Sequence, residues 1–184
     1  MSRKEILIGG SGGQGVLFFG NILSLAAVQE GKKVVTTSSY GAAVRGGAVK
    51  CGVVISDEEI YDPVVSDADI VVTLNEASLE QCGPIVKKGG TLVCEESEKT
   101  AEIAASIKKP FQLISIPLRK LGPERYHNII ALGIFLQISP EMGVDLIKET
   151  LIKEIKKRGK ESLVEENLKA IQAGIDWYQK EQKK

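Results

Sequence analysis

The chain has 184 residues, 43% of them apolar, enough for one domain with a sizeable buried core and too many for a disordered segment. Its 24 basic side chains balance 24 acidic ones, so no net positive field exists to hold a nucleic acid or an anionic membrane surface. No apolar run reaches the ~20 residues of a membrane span, and Met1-Ser2-Arg3-Lys4-Glu5 leads straight into an apolar strand without a signal-peptide core, which predicts a cytoplasmic chain.

Ile6-Leu7-Ile8, ended by glycines, predicts a strand buried on both faces. From Gln14 to Gln29 the residues Val16, Phe19, Leu23, Ala26 and Ala27 recur at helical spacing, and Gly31 stands where a helix ends. Lys33 to Thr37 is the second strand, so the chain opens as strand, glycine turn, helix, strand, closed by a parallel crossover. Val49 to Ile55 resumes strand character, and Ile60-Tyr61 reads as one more short strand after a turn. No helix fits between these pieces, so this part of the sheet is expected to be antiparallel. Ile70 to Leu74, Thr91 to Cys94 and Gln112 to Ile116 are further strands, alternating with helices over Glu76 to Cys82 and Thr100 to Ile107.

Pro123 sits at the first turn of a helix that is apolar almost all round through Ile129, Ile130, Leu132, Ile134, Phe135 and Leu136, and must be buried against the sheet or a partner. Ser139-Pro140-Glu141 reads as the start of another helix, striped by Val144, Ile147, Leu151 and Ile155. After Gly159 a last helix carries Val164, Leu168, Ile171, Ile175 and Tyr178. With no repeat or linker, residues 1–184 are expected to form a single domain: a three-layer α/β/α, Rossmann-like fold with a mixed, mostly parallel sheet and C-terminal helices.

Gly10-Ser11-Gly12-Gly13-Gln14-Gly15 is a Gly-x-Gly-x-x-Gly run placed after a strand and opening a helix, the context in which it binds anions. Residues without a Cβ let backbone approach a phosphate, and the helix dipole favours negative charge; the alternative is that these glycines serve a tight turn and close helix-to-strand packing. A dinucleotide site would need an acid at the end of the second strand, and Val34-Val35-Thr36-Thr37-Ser38 supplies none. Val16 stands where an ATP-binding P-loop needs lysine, so NAD and ATP are both disfavoured. A second cluster, Ser39-Tyr40-Gly41-Ala42-Ala43-Val44-Arg45-Gly46-Gly47, should emerge beside the first loop, since both are expected to leave the carboxyl ends of adjacent parallel strands. Arg45 would then offer a planar fork to an anion, an interface or solvent, and Tyr40 a ring or hydroxyl.

No catalytic set assembles around the lone His127. Cys51, Cys82 and Cys94 include no close pair, so the chain alone holds no zinc ribbon or iron-sulphur cluster; Cys51 and Cys94 read as buried, Cys82 as more exposed. Asp67 and Asp69 do not by themselves make a metal site.

Gly-x-Gly-Gly-Gln-Gly after the first strand, Ser39-Tyr40-Gly41 leading to Arg45-Gly46-Gly47, and Val53-Val54-Ile55-Ser56 together resemble the gamma subunit of the 2-oxoacid:ferredoxin oxidoreductases. Asp69-Ile70-Val71-Val72-Thr73-Leu74-Asn75, Asn128 with Gly133, and Glu166 to Ile171 with Gly174 are similar to later parts of that family, so the resemblance covers nearly the whole chain. It implies a non-catalytic subunit of an enzyme that turns a 2-oxoacid, coenzyme A and oxidised ferredoxin into acyl-coenzyme A, carbon dioxide and reduced ferredoxin. Thiamine diphosphate, Mg and the iron-sulphur clusters would reside on alpha, beta and ferredoxin-like delta partners. By the same resemblance Gly10, Gly12, Gly13, Gln14, Gly15, Tyr40, Arg45, Gly46 and Gly47 become candidates for contacting coenzyme A or shaping the intersubunit surface around it. The loop is most similar to the 2-oxoglutarate type, with pyruvate, branched-chain and indolepyruvate types as alternatives and a free-standing nucleotide-binding module as a different class of reading.

Overall fold

The computed structural model describes residues 3–41 and 47–183. The chain divides into two compact units, Met1–Pro117 and Leu118–Lys184. In the first, six strands form one sheet among the described residues: β1 (Arg3–Ser11), β2 (Lys33–Tyr40), β3 (Ala48–Ser56), β4 (Ala68–Thr73), β5 (Val86–Glu95) and β6 (Gln112–Ile116), in the order β2-β3-β1-β4-β5-β6. β1, β4, β5 and β6 pair in parallel, and β3 runs antiparallel to both β1 and β2.

The position of β3 corrects one expectation. β1 and β2 point the same way but are not adjacent, because β3 lies between them, with Ile6 opposite Val53 and Val53 opposite Thr36. β3 follows β2 closely in sequence and pairs with it antiparallel along its length, and it is β3, not β2, that takes the place beside β1. Helix α1 (Val16–Gln29) covers β1, β2 and β3 on one face. On the other, α2 (Glu76–Cys82) packs on β1, β4 and β5 and also meets α3 (Thr100–Ser106). Three layers result. Gly9 and Gly10 are consecutive, so they face opposite sides of β1. A Cβ on Gly9 would sit 2.7 Å from Cys82 Sγ in α2, and one on Gly10 2.7 Å from Val16 Cγ2 in α1. Bare backbone at these two positions is what lets a helix press on each face of the central strand.

Ile60-Tyr61 is not a strand. Asp62 accepts the Val64 N–H at 3.1 Å through its side chain and the Arg3 guanidinium at 2.7 Å through its carbonyl, and this local turn leaves Tyr61 92% exposed. Cys82, expected to be the more accessible thiol, is fully buried beneath β1 with Leu7, Leu79 and Leu92.

Burial raises all three thiols, Cys51 to about 11 and Cys94 to about 12 from an ordinary value of 9.0, and Cys82 despite the opposing charge of Lys50. The folded chain therefore keeps protons that the unfolded chain releases. The stability this gives is complete below the ordinary value of 9.0 and is lost as pH rises towards about 11 and 12. The thiols should accordingly add a fall of the thermal midpoint in the alkaline range, and Ellman's reagent at about pH 8 should find them unreactive until the protein is denatured.

In the second unit, α4 (Leu118–Leu121) leads through a short 3-10 turn into α5 (His127–Ile138), followed by α6 (Val144–Lys157) and α7 (Val164–Glu181). Every residue of α5 from His127 to Leu136 is buried, in keeping with its all-round apolarity. His127 holds the Gly122 carbonyl at 3.1 Å through Nε2, a structural contact. Ser139-Pro140-Glu141 does not start α6: Pro140–Met142 forms a 3-10 turn, Gly143 follows at φ 49°, and the α-helix begins at Val144. On α7 the buried line runs through Asn167, Ala170, Ile171, Gly174 and Ile175, while Val164, Leu168 and Tyr178 are only half-buried. Ala170 and Gly174 face inward there beside the two isoleucines.

Candidate functional site

The glycine motif occupies the end of β1 and the turn into α1. Gly10 is committed to helix packing, as above. Gly13 (φ 97°) and Gly15 (φ 74°) take left-handed conformations that a residue with a Cβ would resist, and Gly15 is the N-cap of α1. A Cβ on Gly13 would meet nothing within 4 Å, so the loop is open there. Its N–H groups are largely used within the protein: Ser11 donates to Gln14 Oε1 at 2.8 Å, Gly12 to the Gly47 carbonyl at 3.0 Å and Gln14 to the Ser11 carbonyl at 3.0 Å. No described residue accepts from the Gly13 N–H.

The Gly12–Gly47 bond joins the two glycine clusters directly. It works because β3 is inserted beside β1: Ser11 pairs with Ala48, and Gly41 donates to the Ala48 carbonyl at 2.7 Å, so both loops leave the sheet at one edge. Tyr40 stands one strand further out, opposite Val49, which is itself opposite Gly10. Two strand spacings place it about 10 Å from Gly10. It is 66% exposed at the end of an edge strand. Arg45 and Gly46, with Ala42, Ala43 and Val44, lie outside the described residues.

Gln14 turns back into the protein. Its Oε1 accepts the Ser11 N–H at 2.8 Å and Asn75 Nδ2 at 2.6 Å, and its Nε2 donates to the Leu74 carbonyl at 3.3 Å. Asn75 follows β4 and caps α2, its Oδ1 accepting the Ser78 N–H at 2.8 Å, while Nδ2 also donates to Ser11 Oγ at 2.9 Å. The Leu74 N–H completes the seam by donating to the Gly9 carbonyl at 3.0 Å. Lys50 is half-buried in β3, opposite Gly9 on one side and Ser39 on the other, and it brings a positive charge to the same edge. Ser11, Asn75 and Lys50 are additions to the residues anticipated from sequence. Their only sequence signal is position: Ser11 inside the motif, the other two at ends of strands whose neighbours are set by the sheet order.

Elsewhere the chemistry is sparse. A cavity of about 340 Å³ in the second unit is lined by Leu121, Pro123, Tyr126, Ile130 and Ala170. Its cations are paired, Arg125 with Glu166 at 3.3 Å and Lys169 with Glu165 at 2.6 Å. Asp69 accepts the Glu5 N–H at 2.7 Å and pairs with Lys87, and Asp67 pairs with Lys109 at 3.3 Å, so both act as structural anchors. Among the described residues no group of three or more His, Cys, Asp or Glu is placed to hold a metal, and no helix is long and apolar enough to cross a membrane.

The family model described as pyruvate ferredoxin/flavodoxin oxidoreductase matches residues 5–177. The chain is 33% identical over 184 residues to the 2-oxoglutarate synthase subunit KorC of Methanocaldococcus jannaschii, an alignment covering 95% of this chain and 93% of that one. It is also 33% identical over 177 residues to the ketoisovalerate oxidoreductase subunit VorA of Methanothermobacter thermautotrophicus, covering 94% of this chain and 36% of that protein. The chain thus spans about a third of the length of its VorA relatives. Among solved structures, the gamma subunit of a keto/oxoacid ferredoxin oxidoreductase from Geobacter sulfurreducens superposes with a TM-score of 0.73 at 27% identity, covering 95% of this chain and 98% of that one. The 2-oxoglutarate:ferredoxin oxidoreductase of Magnetococcus marinus, solved with 2-oxoglutarate, coenzyme A and succinyl-CoA bound, shares the fold with a TM-score of 0.84 at 23% identity, over 97% of this chain and 31% of that one.

Proposed function

From the premise that this chain belongs to the pyruvate ferredoxin/flavodoxin oxidoreductase family, we propose that residues 1–184 act as one gamma-type subunit of a 2-oxoacid:ferredoxin oxidoreductase, with 2-oxoglutarate as the substrate. The complete enzyme cleaves the bond between the carboxylate and the oxo carbon, releases carbon dioxide, passes two electrons to ferredoxin and joins the acyl group to the thiol of coenzyme A. The observation that carries this reading is the end-to-end similarity to KorC. KorC relatives from Archaeoglobus fulgidus and Methanothermobacter marburgensis support the choice of 2-oxoglutarate.

The thiamine and iron-sulphur chemistry does not fit the described residues of this chain. Its three cysteines are buried, and among the described residues no group of three or more His, Cys, Asp or Glu is placed to hold a metal. We assign thiamine diphosphate, Mg and the clusters to alpha, beta and delta partners, with ferredoxin as acceptor and the cytoplasm, where coenzyme A and ferredoxin meet, as the compartment. A coenzyme A phosphate does fit the sheet edge, where the Gly13 N–H lacks a described acceptor and Lys50 supplies positive charge. Gly10, Gly12, Gly13, Gln14, Gly15, Tyr40, Arg45, Gly46 and Gly47 then form the cradle: Gly10 by letting α1 press on β1, Gly13 and Gly15 by shaping the turn, Gln14 by bracing it, and Arg45 and Tyr40 by reaching the ligand.

The purified chain should show no 2-oxoacid-dependent viologen reduction, whereas the complex should bleach with 2-oxoglutarate and coenzyme A. Arg45→Ala in that complex should raise the KM for coenzyme A about tenfold with a smaller change in kcat, the mark of a lost phosphate contact. Activity of the lone chain, or tight binding of NAD to it with no partner chains co-eluting, would overturn the assignment in favour of a free-standing nucleotide-binding module.

A further inference from the structure

β2 is an outermost strand, bonded to β3 on one side and to no described strand on the other. Two backbone hydrogen bonds fix which of its residues face outward. The Gly41 N–H donates to the Ala48 carbonyl and the Gly12 N–H to the Gly47 carbonyl, so β3 turns Ala48 towards β2 while Gly47 before it faces β1. Antiparallel ladders alternate residue by residue. Lys33, Val35, Thr37 and Ser39 therefore direct their backbone groups to β3, and Val34, Thr36, Ser38 and Tyr40 point their N–H and C=O groups away from the sheet. No described residue meets those groups. The strand also lacks the usual defences of an edge: it has no proline, it pairs with β3 without a bulge, and its one charge, Lys33 at the start, is held by Glu59 at 2.9 Å. Ser24 Oγ of α1 lies 2.8 Å from Thr36 Oγ1, so this flank of α1 lies over β2, and α1 has no charged residue from Val16 to Gln29. Val28, one turn after Ser24 on the same flank, is 56% exposed.

We propose that β2 is the seam of a symmetric dimer, in which two copies of this chain pair β2 to β2, antiparallel, about a two-fold axis at Thr36. A self-paired surface meets its own charges, so a strongly charged edge needs a partner of opposite sign; Val34 to Tyr40 carries no charge, and a second copy fits it. With the axis perpendicular to the sheet, Thr36 stands opposite Thr36 of the second copy, Val34 opposite its Ser38 and Lys33 opposite its Ser39. Outward groups then meet outward groups, no like charges oppose, and about six ladder hydrogen bonds close the seam. The same axis keeps both α1 helices on one face with their uncharged flanks, Val28 included, turned towards each other. The pairing needs no ligand, and in the assembled enzyme it would join two gamma-type subunits and with them two complexes.

Sedimentation of the purified full chain at micromolar concentration should give the mass of two chains. Thr36→Cys tests the register. Across the axis the two introduced thiols stand on Cα atoms about 5.5 Å apart, within disulfide reach, so mild oxidation with copper phenanthroline should link the chain to its copy. Ser38→Cys is the control, because Ser38 faces Val34 and its own counterpart lies about 13 Å further along the seam. The native cysteines are buried and do not compete. Thr36→Lys sets like charges face to face and should raise the dissociation constant of the dimer at least about tenfold, with part of the loss recovered in high salt. Linkage of Thr36→Cys with little linkage of Ser38→Cys supports the seam, whether it is found in the chain alone or only in the complex. A monomeric wild-type chain with no Thr36→Cys linkage in the complex, equal linkage of the two cysteine variants, or a Thr36→Lys chain that dimerises as tightly as wild type would each overturn it. Absent linkage while Thr36→Lys releases a different subunit from the complex would also overturn it, in favour of a partner's strand on this edge. If Thr36→Lys does not fold, the two cysteine variants decide alone.

Discussion

Gly174→Ala will lower the thermal midpoint by roughly 6–12 °C, the shift that a loss of about 3 kcal/mol produces in a chain of this size. The helices α5 and α7 cross with backbone against backbone. A Cβ at Gly174 would lie 2.1 Å from the Ile130 carbonyl oxygen, and one at Gly133 2.2 Å from that of Ile171. Neither oxygen sits on a side chain that could swing aside, so the helices must part and loosen Ile130, Ile134, Ala170 and Ile171, which are buried alongside. Gly133→Ala should do the same. Gly31→Asn is the control: it follows α1 at φ 77° with open space around it, a position asparagine tolerates, and should cost less than about 1 kcal/mol. Urea or thermal unfolding of the three variants checks the order, and a Gly174→Ala protein as stable as Gly31→Asn would disprove the crossing.

Gly20→Ala should destabilise the protein by about 1–2 kcal/mol although alanine favours a helix, because overpacking outweighs propensity. The new methyl would lie 2.3 Å from Cys51 Sγ, while the next neighbours, Val53 Cγ2 at 3.4 Å and Cys51 Cβ at 3.6 Å, are at ordinary contact distance. One sulfur therefore carries the whole clash. Cys51→Ala alone leaves a small void beneath α1 and also costs about 1 kcal/mol. The double variant fills that void with the methyl group and should be more stable than either single one, a coupling of about 2 kcal/mol measurable as a double-mutant cycle. Additive losses would mean that α1 does not lie on β3 as described.

Local periodicity located the elements well wherever one segment carried its own signal. Gln112–Ile116 and Glu76–Cys82 have the bounds expected from their apolar runs and caps. What it could not carry was sheet order. Nothing in Ala48–Ser56 says that it will slip between β1 and β2, since a strand buried on both faces reads the same wherever it is placed. Ile60-Tyr61 misled for a related reason: two β-prone residues look like a strand until Asp62 and Pro63 claim the backbone for a turn. At the candidate site the glycines were legible because their conformations follow from their own lack of a side chain. Ser11 and Asn75 were not, because their meeting depends on β4 ending beside β1, a fact of topology with no local trace.

The central place of β1 has a consequence for how the molecule comes to be. Ile6 finds Val53 on one side and Ile70 on the other, so during synthesis β1 is bare along both edges until Ala48–Ser56 has been made and along one of them until Ala68–Thr73 follows. Until then its oily stretch, Ile6-Leu7-Ile8, is an adhesive ribbon for any passing chain. Nascent copies are accordingly most vulnerable to clumping between the synthesis of β1 and that of β4, and slowing the ribosome in that interval should lower soluble yield more than slowing it after β4 has emerged.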